Sequence, residues 1–238
     1  MTRTIDLGIR TAGDADRAAV AATITAAFFD DPVTRWALPD VDRRRAALEP
    51  IFRLYADAYV PLGETYLTDD GNGVAVWLPP GRTLLTAEQE VAFGEAVQGI
   101  AGRDASRFFQ LEETFAEHHP DEPLYYLNFL ATVPAFQGRG IGAAFLRAML
   151  DRADREGMPA YHEATTPRNG RSTSGTATST RGCSTCPTAV RRCGACGGSP
   201  ASRTGPRGVV TPPCVRGRGS RGRGWAGRAR RRRRRPCR

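Results

Sequence analysis

The stretch LATVPAFQGRGIGAAFL, residues 130–146, decides the fold of this chain. It starts as an apolar, strand-like run and then passes through a loop of pattern Gln-x-x-Gly-x-Gly, formed by Gln137, Gly140 and Gly142. Apolar residues at helical spacing follow the loop. Glycines let a backbone approach a ligand closely. The order of strand, glycine-rich loop and helix therefore predicts a ligand-binding turn.

The ligand that suits this turn is an anion. The first N–H groups of a helix have no intrahelical partner, and with the positive end of the helix dipole they suit a pyrophosphate. Arg139 adds a positive charge nearby. Two other nucleotide loops do not fit, because the chain has no Lys for a Walker loop and its Gly138, Gly140 and Gly142 are not spaced like the dinucleotide fingerprint. A glycine-rich turn without a ligand is the simpler alternative.

The sequence on both sides of this stretch predicts a mixed α/β fold. Strand-like runs occupy residues 4–10, 64–68, 74–78, 124–133 and 160–165. Helical patterns run up to residue 28 and then occupy residues 33–38, 43–59, 87–100, 105–118 and 141–156. The second and third strands predict an antiparallel hairpin. Because strands and helices do not alternate regularly, we expect a mixed sheet with helices on both faces.

Composition changes abruptly near residue 169. Residues 1–163 contain 15 Arg against 25 acidic residues and no Cys, whereas residues 164–238 contain 19 Arg, all six Cys and no acidic residue. The formal net charge of +9 therefore comes from the tail. The front part is long enough to bury a core alone. We divide the chain into a domain, residues 1–169, and an Arg-, Gly-, Pro- and Cys-rich tail, residues 170–238, which we expect to be disordered.

The pattern Val-Pro-x-x-Gln-Gly-x-Gly-Ile-Gly of residues 133–142, followed by Leu146, resembles the acetyl-coenzyme A loop of the GNAT N-acetyltransferase superfamily. The upstream order of strand, two helices, hairpin and strand is similar too, so the resemblance covers residues 4–169. It implies a GNAT-like, largely antiparallel mixed sheet with helices on both faces. It also implies an N-acetyltransferase that uses acetyl-coenzyme A to acetylate an amine by direct attack in a ternary complex.

The resemblance further implies where the reactants bind. In such folds the strand ending at Val133 splays from the next strand, and the pantetheine arm of coenzyme A fits the gap while backbone N–H groups hold the pyrophosphate. The implied cofactor-binding residues are Ala131, Thr132, Val133, Gln137, Gly138, Arg139, Gly140, Ile141, Gly142 and Ala143. Glu163, at the end of the next strand, is the candidate general base. A solvated strand-end carboxylate is the alternative reading of Glu163.

The tyrosine that often serves as general acid in this family is absent. In members of the family, this strand is followed by a helix with a sequence similar to ALYERHGF. In this chain, residues 170–178 read GRSTSGTAT instead. Inserting one base after codon 169 in a back-translation of this segment gives RALYERHGY. In the same frame residues 185–200 become LPDGGPxLWxMWREP, similar to the closing strands of the family. We therefore interpret the tail as frameshifted after about Asn169, with the closing helix and strands missing.

The tail allows two other interpretations. Its cysteine pairs, Cys183 with Cys186 and Cys193 with Cys196, resemble thiolate zinc ligands, but only six residues separate the pairs. We therefore expect no metal. The arginines of residues 228–235 would bind nucleic acid without specificity. A non-catalytic remnant with a nucleic-acid-binding tail, or a zinc-binding C-terminal module, thus remain as alternatives.

The expected location and partners of the protein follow from its sequence. The first residues show no signal-peptide pattern, and no apolar run reaches the length of a bilayer span, so we expect a cytoplasmic protein without membrane contact. The expected partner is a small-molecule or peptide amine that accepts the acetyl group. Variable loops build such acceptor pockets, so neither the acceptor nor the oligomeric state follows from the sequence.

Overall fold

The structure, a computed structural model, describes residues 8–165, 179–181 and 189–191. Its helices are α1 (Arg17–Phe28), α2 (Pro32–Ala37), α3 (Val41–Tyr59), α4 (Ala87–Ala101), α5 (Ala105–His118) and α6 (Ile141–Glu156). Its strands are β1 (Ile9–Thr11), β2 (Thr65–Thr68), β3 (Gly73–Leu78), β4 (Tyr125–Thr132), β5 (Ala160–Tyr161), β6 (Ser179–Arg181) and β7 (Ala189–Arg191). None of the helices in this described part combines the length and apolarity needed to cross a bilayer.

Five strands form a mixed, largely antiparallel sheet in the order β1-β2-β3-β4-β5. The first four pair antiparallel, including the expected hairpin of β2 and β3, whereas β4 and β5 run parallel. The expected α/β fold class is therefore confirmed. Within the tail, β6 and β7 form a separate antiparallel pair, and the remaining tail residues lie outside the described residues.

Helices cover both faces of the sheet. On one face, α1 and α3 pack Ile24 and Ile51 into a fully buried cluster that includes Val74 of β3. On the other face, α6 packs Phe145 against a cluster that includes Trp77 of the same strand. Successive side chains of a strand point to opposite faces, so β3 contributes alternate residues to the two cores.

A β-bulge in β4 changes which side chains face α3. Val76 pairs with Phe129, but the next residue of β3, Trp77, pairs with Leu127, so Asn128 has no residue opposite it. The amide of Asn128 donates to the Tyr59 hydroxyl on α3. Phe129 packs among aromatic side chains of the same face. The bulge therefore places a polar amide and an aromatic ring side by side on one face of the sheet.

The parallel pair of β4 and β5 is short. A strand was expected at residues 160–165, but β5 comprises Ala160–Tyr161 only, paired with Tyr125 and Tyr126. Beyond these two residues β5 has no recorded pairing with β4 among the described residues. The expected strand is therefore shorter in the structure, and an isolated β-bridge residue, Glu163, follows it. Within the part of the chain that the structure describes, β4 beyond Tyr126 has no recorded strand partner on its β5 side.

Candidate functional site

The loop before α6 presents free backbone N–H groups to open space. Its last residue, Gly140, has φ 86°, a left-handed conformation that favours glycine, and the Ala144 N–H donates to its carbonyl oxygen at 3.0 Å. That is the first bond of the helix, so the N–H groups of Ile141, Gly142 and Ala143 have no intrahelical partner. A Cβ atom built at Gly140 would meet nothing within 4 Å. The space in front of these donors can therefore receive a phosphate group.

A close contact with the sheet fixes the position of this helix end. A Cβ atom at Gly73 of β3 would lie under 3.0 Å from side-chain atoms of Ile141 and Phe145. Because Gly73 has no side chain, the first turn of α6 packs directly on the strand. The contact aims the N-terminus of α6 toward the open end of β4.

Two side chains of the loop brace the loop itself. Gln137 Nε2 donates to the Thr132 carbonyl at 3.1 Å. One guanidinium nitrogen of Arg139 donates to the Ala135 carbonyl at 3.1 Å, and the guanidinium carbon lies 4.8 Å from the centre of the Phe136 ring. Both side chains therefore hold the loop in shape.

The end of β4 leaves backbone groups available for an extended ligand. The Val133 N–H is already bonded to the Asn72 carbonyl at 3.0 Å, on the side of β3. Backbone groups of a strand point alternately to its two sides, so Thr132 faces the open edge. An extended chain can bond to such an edge as an added strand would. Of residues 131–133, Thr132 is thus the one whose N–H faces that edge, while its carbonyl already accepts from Gln137, and Ala131 contributes a buried side chain.

Glu163 lies two residues beyond Tyr161, the last residue of β5 paired with β4. Its Oε1 atom is buried and has no hydrogen-bond partner among the described residues. Burial raises the pKa of the Glu163 carboxyl, and hydrogen bonding to the hydroxyls of Tyr126 and Tyr161 lowers it by less. The negative charge of Glu112 raises this pKa further. A carboxylate with a raised pKa is suited to accept a proton near neutral pH.

Tyr125 and Tyr126 point to opposite faces of β4, as expected from strand alternation. The Tyr125 hydroxyl donates to Glu156 of α6 at 2.5 Å. Tyr126 lies on the cleft side, stacked against Tyr161 with ring centres 6.2 Å apart and in edge contact with His119 at 4.8 Å. Burial, and then the charge of Glu163, raises the pKa of Tyr126 well above its ordinary value. Only Tyr126 of the two therefore contributes to the cleft.

Four polar residues on the same side of the sheet were not predicted from the sequence. Tyr55 donates its hydroxyl proton to Glu112 at 2.6 Å, and Asn128 donates to Tyr59. Burial raises the pKa of Glu112 and that of both tyrosines. Two signals were present in the sequence: a carboxylate on the apolar stripe of α5, and an amide inside the most apolar strand.

Several other residues have structural roles or lie outside the described part. Asp31 caps α2 by accepting the Val33 N–H at 2.9 Å, and it also accepts the Thr165 hydroxyl at 2.6 Å. Burial lowers the pKa of His162 to about 4, so this side chain is neutral at physiological pH. The four tail cysteines with zinc-like spacing and the terminal arginine run lie outside the described residues. Within the described part, no cluster of His, Cys, Asp or Glu could hold a metal ion.

The chain is similar to known acetyltransferases. An uncharacterised N-acetyltransferase of Schizosaccharomyces pombe is 24% identical over 155 residues, which are 60% of this chain and 63% of the relative. The match therefore spans less than two thirds of that protein. A solved structure from Corynebacterium glutamicum, described as histone acetyltransferase HPA2 and related acetyltransferase, is 25% identical with a TM-score of 0.56. That similarity covers 77% of this chain and 94% of the other.

A second solved structure shares the fold. Arylalkylamine N-acetyltransferase 2 of Aedes aegypti is 16% identical, with a TM-score of 0.51, over 71% of this chain and 80% of the other. The model of the acetyltransferase (GNAT) family matches residues 48–174, more than half of the sequence. This match includes β2 to β5, the loop before α6 and Glu163. The chain therefore belongs to the GNAT family of acetyltransferases.

Proposed function

We propose that the chain is an N-acetyltransferase that transfers the acetyl group of acetyl-coenzyme A to an amine by direct attack. The observation that carries the proposal is the row of unpaired N–H groups at the start of α6, which faces open space beside the free edge of β4. A pyrophosphate needs such donors, and a pantetheine arm needs such an edge. The acetyltransferase unit comprises residues 1–169.

Different residues bind different parts of acetyl-coenzyme A. Backbone N–H groups of residues 137–143 hold the pyrophosphate, and the charge of Arg139, anchored on Phe136, lies beside it. The backbone at the end of β4, residues 131–133, holds the pantetheine arm. When bound, acetyl-coenzyme A supplies the acetyl group as a thioester. Holding the amine and the thioester together in one cleft provides much of the rate enhancement expected of such an enzyme.

Glu163 has the role of general base in this proposal. An amine is protonated in neutral solution and must lose a proton before its nitrogen can form a bond to the acetyl carbon. The raised pKa of the Glu163 carboxyl and the unpartnered Oε1 atom suit it to receive that proton, directly or through a water molecule. The departing thiolate also needs a proton, and the tyrosine that supplies it in much of the family has no counterpart in residues 170–178.

The inferred frameshift after about Asn169 is part of the same proposal. The match to the family model ends at residue 174, close to the composition change and to the inferred break after codon 169. We infer that the chain as given binds acetyl-coenzyme A and turns it over slowly. Its acceptor is a small-molecule or peptide amine.

Calorimetric titration of acetyl-coenzyme A into the full chain tests the proposal. The substitution Gly140→Asp places a side chain and a negative charge in the pyrophosphate space, so we expect binding to fall by at least about 100-fold. Gly157→Asp is the matched control. Gly157 ends the same helix with φ 65°, and a Cβ atom there also meets nothing within 4 Å.

Because both variants carry the same strain and the same new charge, only the position relative to the loop distinguishes them. Gly157→Asp should bind acetyl-coenzyme A like the parent. If Gly140→Asp binds as tightly as the parent, or if the parent does not bind at all, the assignment of the loop is wrong.

A further inference from the structure

One hydrogen bond joins the turn between α1 and α2 to the segment that carries Glu163. The Thr165 hydroxyl donates to Asp31 Oδ2 at 2.6 Å, across 134 residues of sequence. The other carboxylate oxygen of Asp31 accepts the Val33 N–H at 2.9 Å, which caps α2. Both oxygens of Asp31 therefore have a donor, and the carboxylate has a fixed position between the two segments.

Aromatic packing holds this turn independently of the bond. The Phe28 ring contacts the Phe52 ring of α3 and the Phe129 ring of β4, with ring centres 6.1 and 5.9 Å apart. The next residue, Phe29, lies under the guanidinium group of Arg44 of α3, whose carbon is 4.9 Å from the ring centre. Both phenylalanines of the turn are thus packed against α3 or the sheet, and the turn is the rigid end of the bond.

The segment at the other end of the bond is held by less of the sheet. Among the described residues, pairing of β5 with β4 is recorded only for Ala160 and Tyr161, and Glu163 follows as an isolated bridge residue. Side chains two residues apart in an extended segment lie on the same side. Thr165 follows Glu163 by two positions, so a restraint at the Thr165 side chain also limits the movement of the Glu163 carboxyl.

The Glu163 carboxyl has to be held closely if it acts as a base. A general base works within hydrogen-bond reach of the proton it accepts, and a misplacement of about 1 Å can lower a rate by about 100-fold. The Oε1 atom is buried, and the hydroxyls of Tyr126 and Tyr161 and the charge of Glu112 act on the same carboxyl. These contacts act on the side chain, whereas the Thr165 bond acts on the backbone that carries it.

We propose that Thr165 and Asp31 are a positioning pair for the general base of this chain. Their hydrogen bond ties the segment that carries Glu163 to the packed turn between α1 and α2 and keeps the carboxyl at the site of acetyl transfer. In this role neither residue touches the reacting atoms, and both act through Glu163. The inference rests on the proposed function, because it concerns the base of the same reaction.

Carboxyl NMR titration of the full chain, with the Glu163 signal assigned by its loss in Glu163→Gln, tests the inference without any substrate. Thr165→Val removes the hydroxyl but keeps the size and branching of the side chain. Without the restraint the carboxyl gains solvent, so its pKa should fall toward the ordinary value of about 4.3. Thr165→Ser keeps a hydroxyl at the same position and should keep the pKa of the parent.

The effect on the reaction is measured as release of the coenzyme A thiol from acetyl-coenzyme A, with 1-aminobutane and 2-phenylethylamine as amines. Thr165→Val should lower kcat by about tenfold, a part of the about 10²–10⁴-fold contribution of a general base, and hardly change KM for acetyl-coenzyme A. Its loss of rate on acidification should also occur at lower pH than in the parent. Thr165→Ser should restore most of kcat.

Two further variants separate the bond from a general effect on the fold. The Thr25 hydroxyl is also part-buried, but it donates to the Ala21 carbonyl within α1 at 2.8 Å, so Thr25→Val should leave kcat and the Glu163 pKa unchanged. Asp31→Ser keeps a residue that caps α2, but its side chain is too short to reach Thr165. It should reproduce Thr165→Val, and the double variant should lose no more than either single one, because both remove the same bond.

Calorimetric binding of acetyl-coenzyme A distinguishes failure of this inference from failure of the proposed function. If acetyl-coenzyme A binds and thiol is released, but Thr165→Val leaves the Glu163 pKa and kcat as in Thr25→Val, the positioning pair is wrong and the proposed function stands. If acetyl-coenzyme A does not bind, or if neither amine releases thiol, the proposed function fails and the positioning pair fails with it.

Discussion

At the residue scale, ionisation of Glu163 is expected to lower the free energy of unfolding, and this effect can be measured without any substrate. A carboxyl whose pKa is raised in the folded state destabilises the fold when it ionises. Below the pKa of the unfolded chain, about 4.3 for Glu, both states are protonated and no cost arises. As the pH rises from the unfolded-state pKa to the raised pKa of the folded state, the free energy of unfolding falls. Above the folded-state pKa the loss is complete. Stability attributable to this group is therefore present at low pH and lost toward neutral pH.

We expect Glu163→Gln to be more stable than the parent at pH 8 and equal to it near pH 4, because glutamine never ionises. Thermal unfolding across this pH range measures the difference. The parent should also lose thiol release at low pH as Glu163 becomes protonated, whereas the variant should be slower by about 100-fold or more at all pH values and lack that loss. Glu113→Gln, an exposed change, is the control. A stability difference independent of pH would contradict the buried, raised-pKa carboxyl.

At the element scale, the contact of α6 with Gly73 couples the anion site to the sheet. A methyl group at Gly73 would meet the side chains of Ile141 and Phe145 at the first turn of the helix. The turn that carries the free N–H groups must then move away from β3. The packing of one glycine is thus linked to the position of the pyrophosphate donors.

We expect Gly73→Ala to destabilise the fold by about 1–3 kcal/mol, the usual cost of overpacking, and to weaken acetyl-coenzyme A binding. Gly99→Ala provides the comparison, because Gly99 lies inside α4 with nothing within 4 Å of an added Cβ atom. That change should stabilise the helix by about 0.5–1 kcal/mol and leave binding unchanged. Denaturant unfolding and calorimetry give both quantities. Undiminished binding in Gly73→Ala would show that the helix end is not held by this contact.

Helices were predicted with correct bounds where their sequence pattern is local. Both α5 and α6 were predicted with the bounds the structure shows, because their apolar residues recur at helical spacing and glycine limits α6 at both ends. The end of β5 and the bulge at Asn128 were not predicted, since each depends on pairing with a distant strand. Glu112 was missed for a related reason: its hydrogen bond from Tyr55 depends on the packing of α5 against α3.

At the scale of the whole molecule, the two parts of the sequence have opposite character. Residues 1–163 carry a formal charge of −10 and build both cores, whereas the residues beyond them contain no acidic side chain. A domain with this net negative charge favours a cationic acceptor. The arginine-rich tail would compete for anions, coenzyme A included, through charge alone.

The inferred frameshift after codon 169 leads to a prediction about the protein with the reading frame repaired. Inserting one C after codon 169 places a tyrosine four positions past Asn169, within the sequence RALYERHGY, and removes the arginine-rich segment that gives the chain its charge of +9. A tyrosine there would protonate the departing thiolate, and its helix would close the cleft beside Glu163. We expect the release of the coenzyme A thiol with a panel of amines to be faster by about 100-fold or more in the repaired protein. The repaired protein with that tyrosine changed to phenylalanine should bind acetyl-coenzyme A normally but lose most of the gain. Equal rates in the repaired and the given chain would show that the tail is native and that the interpretation is wrong.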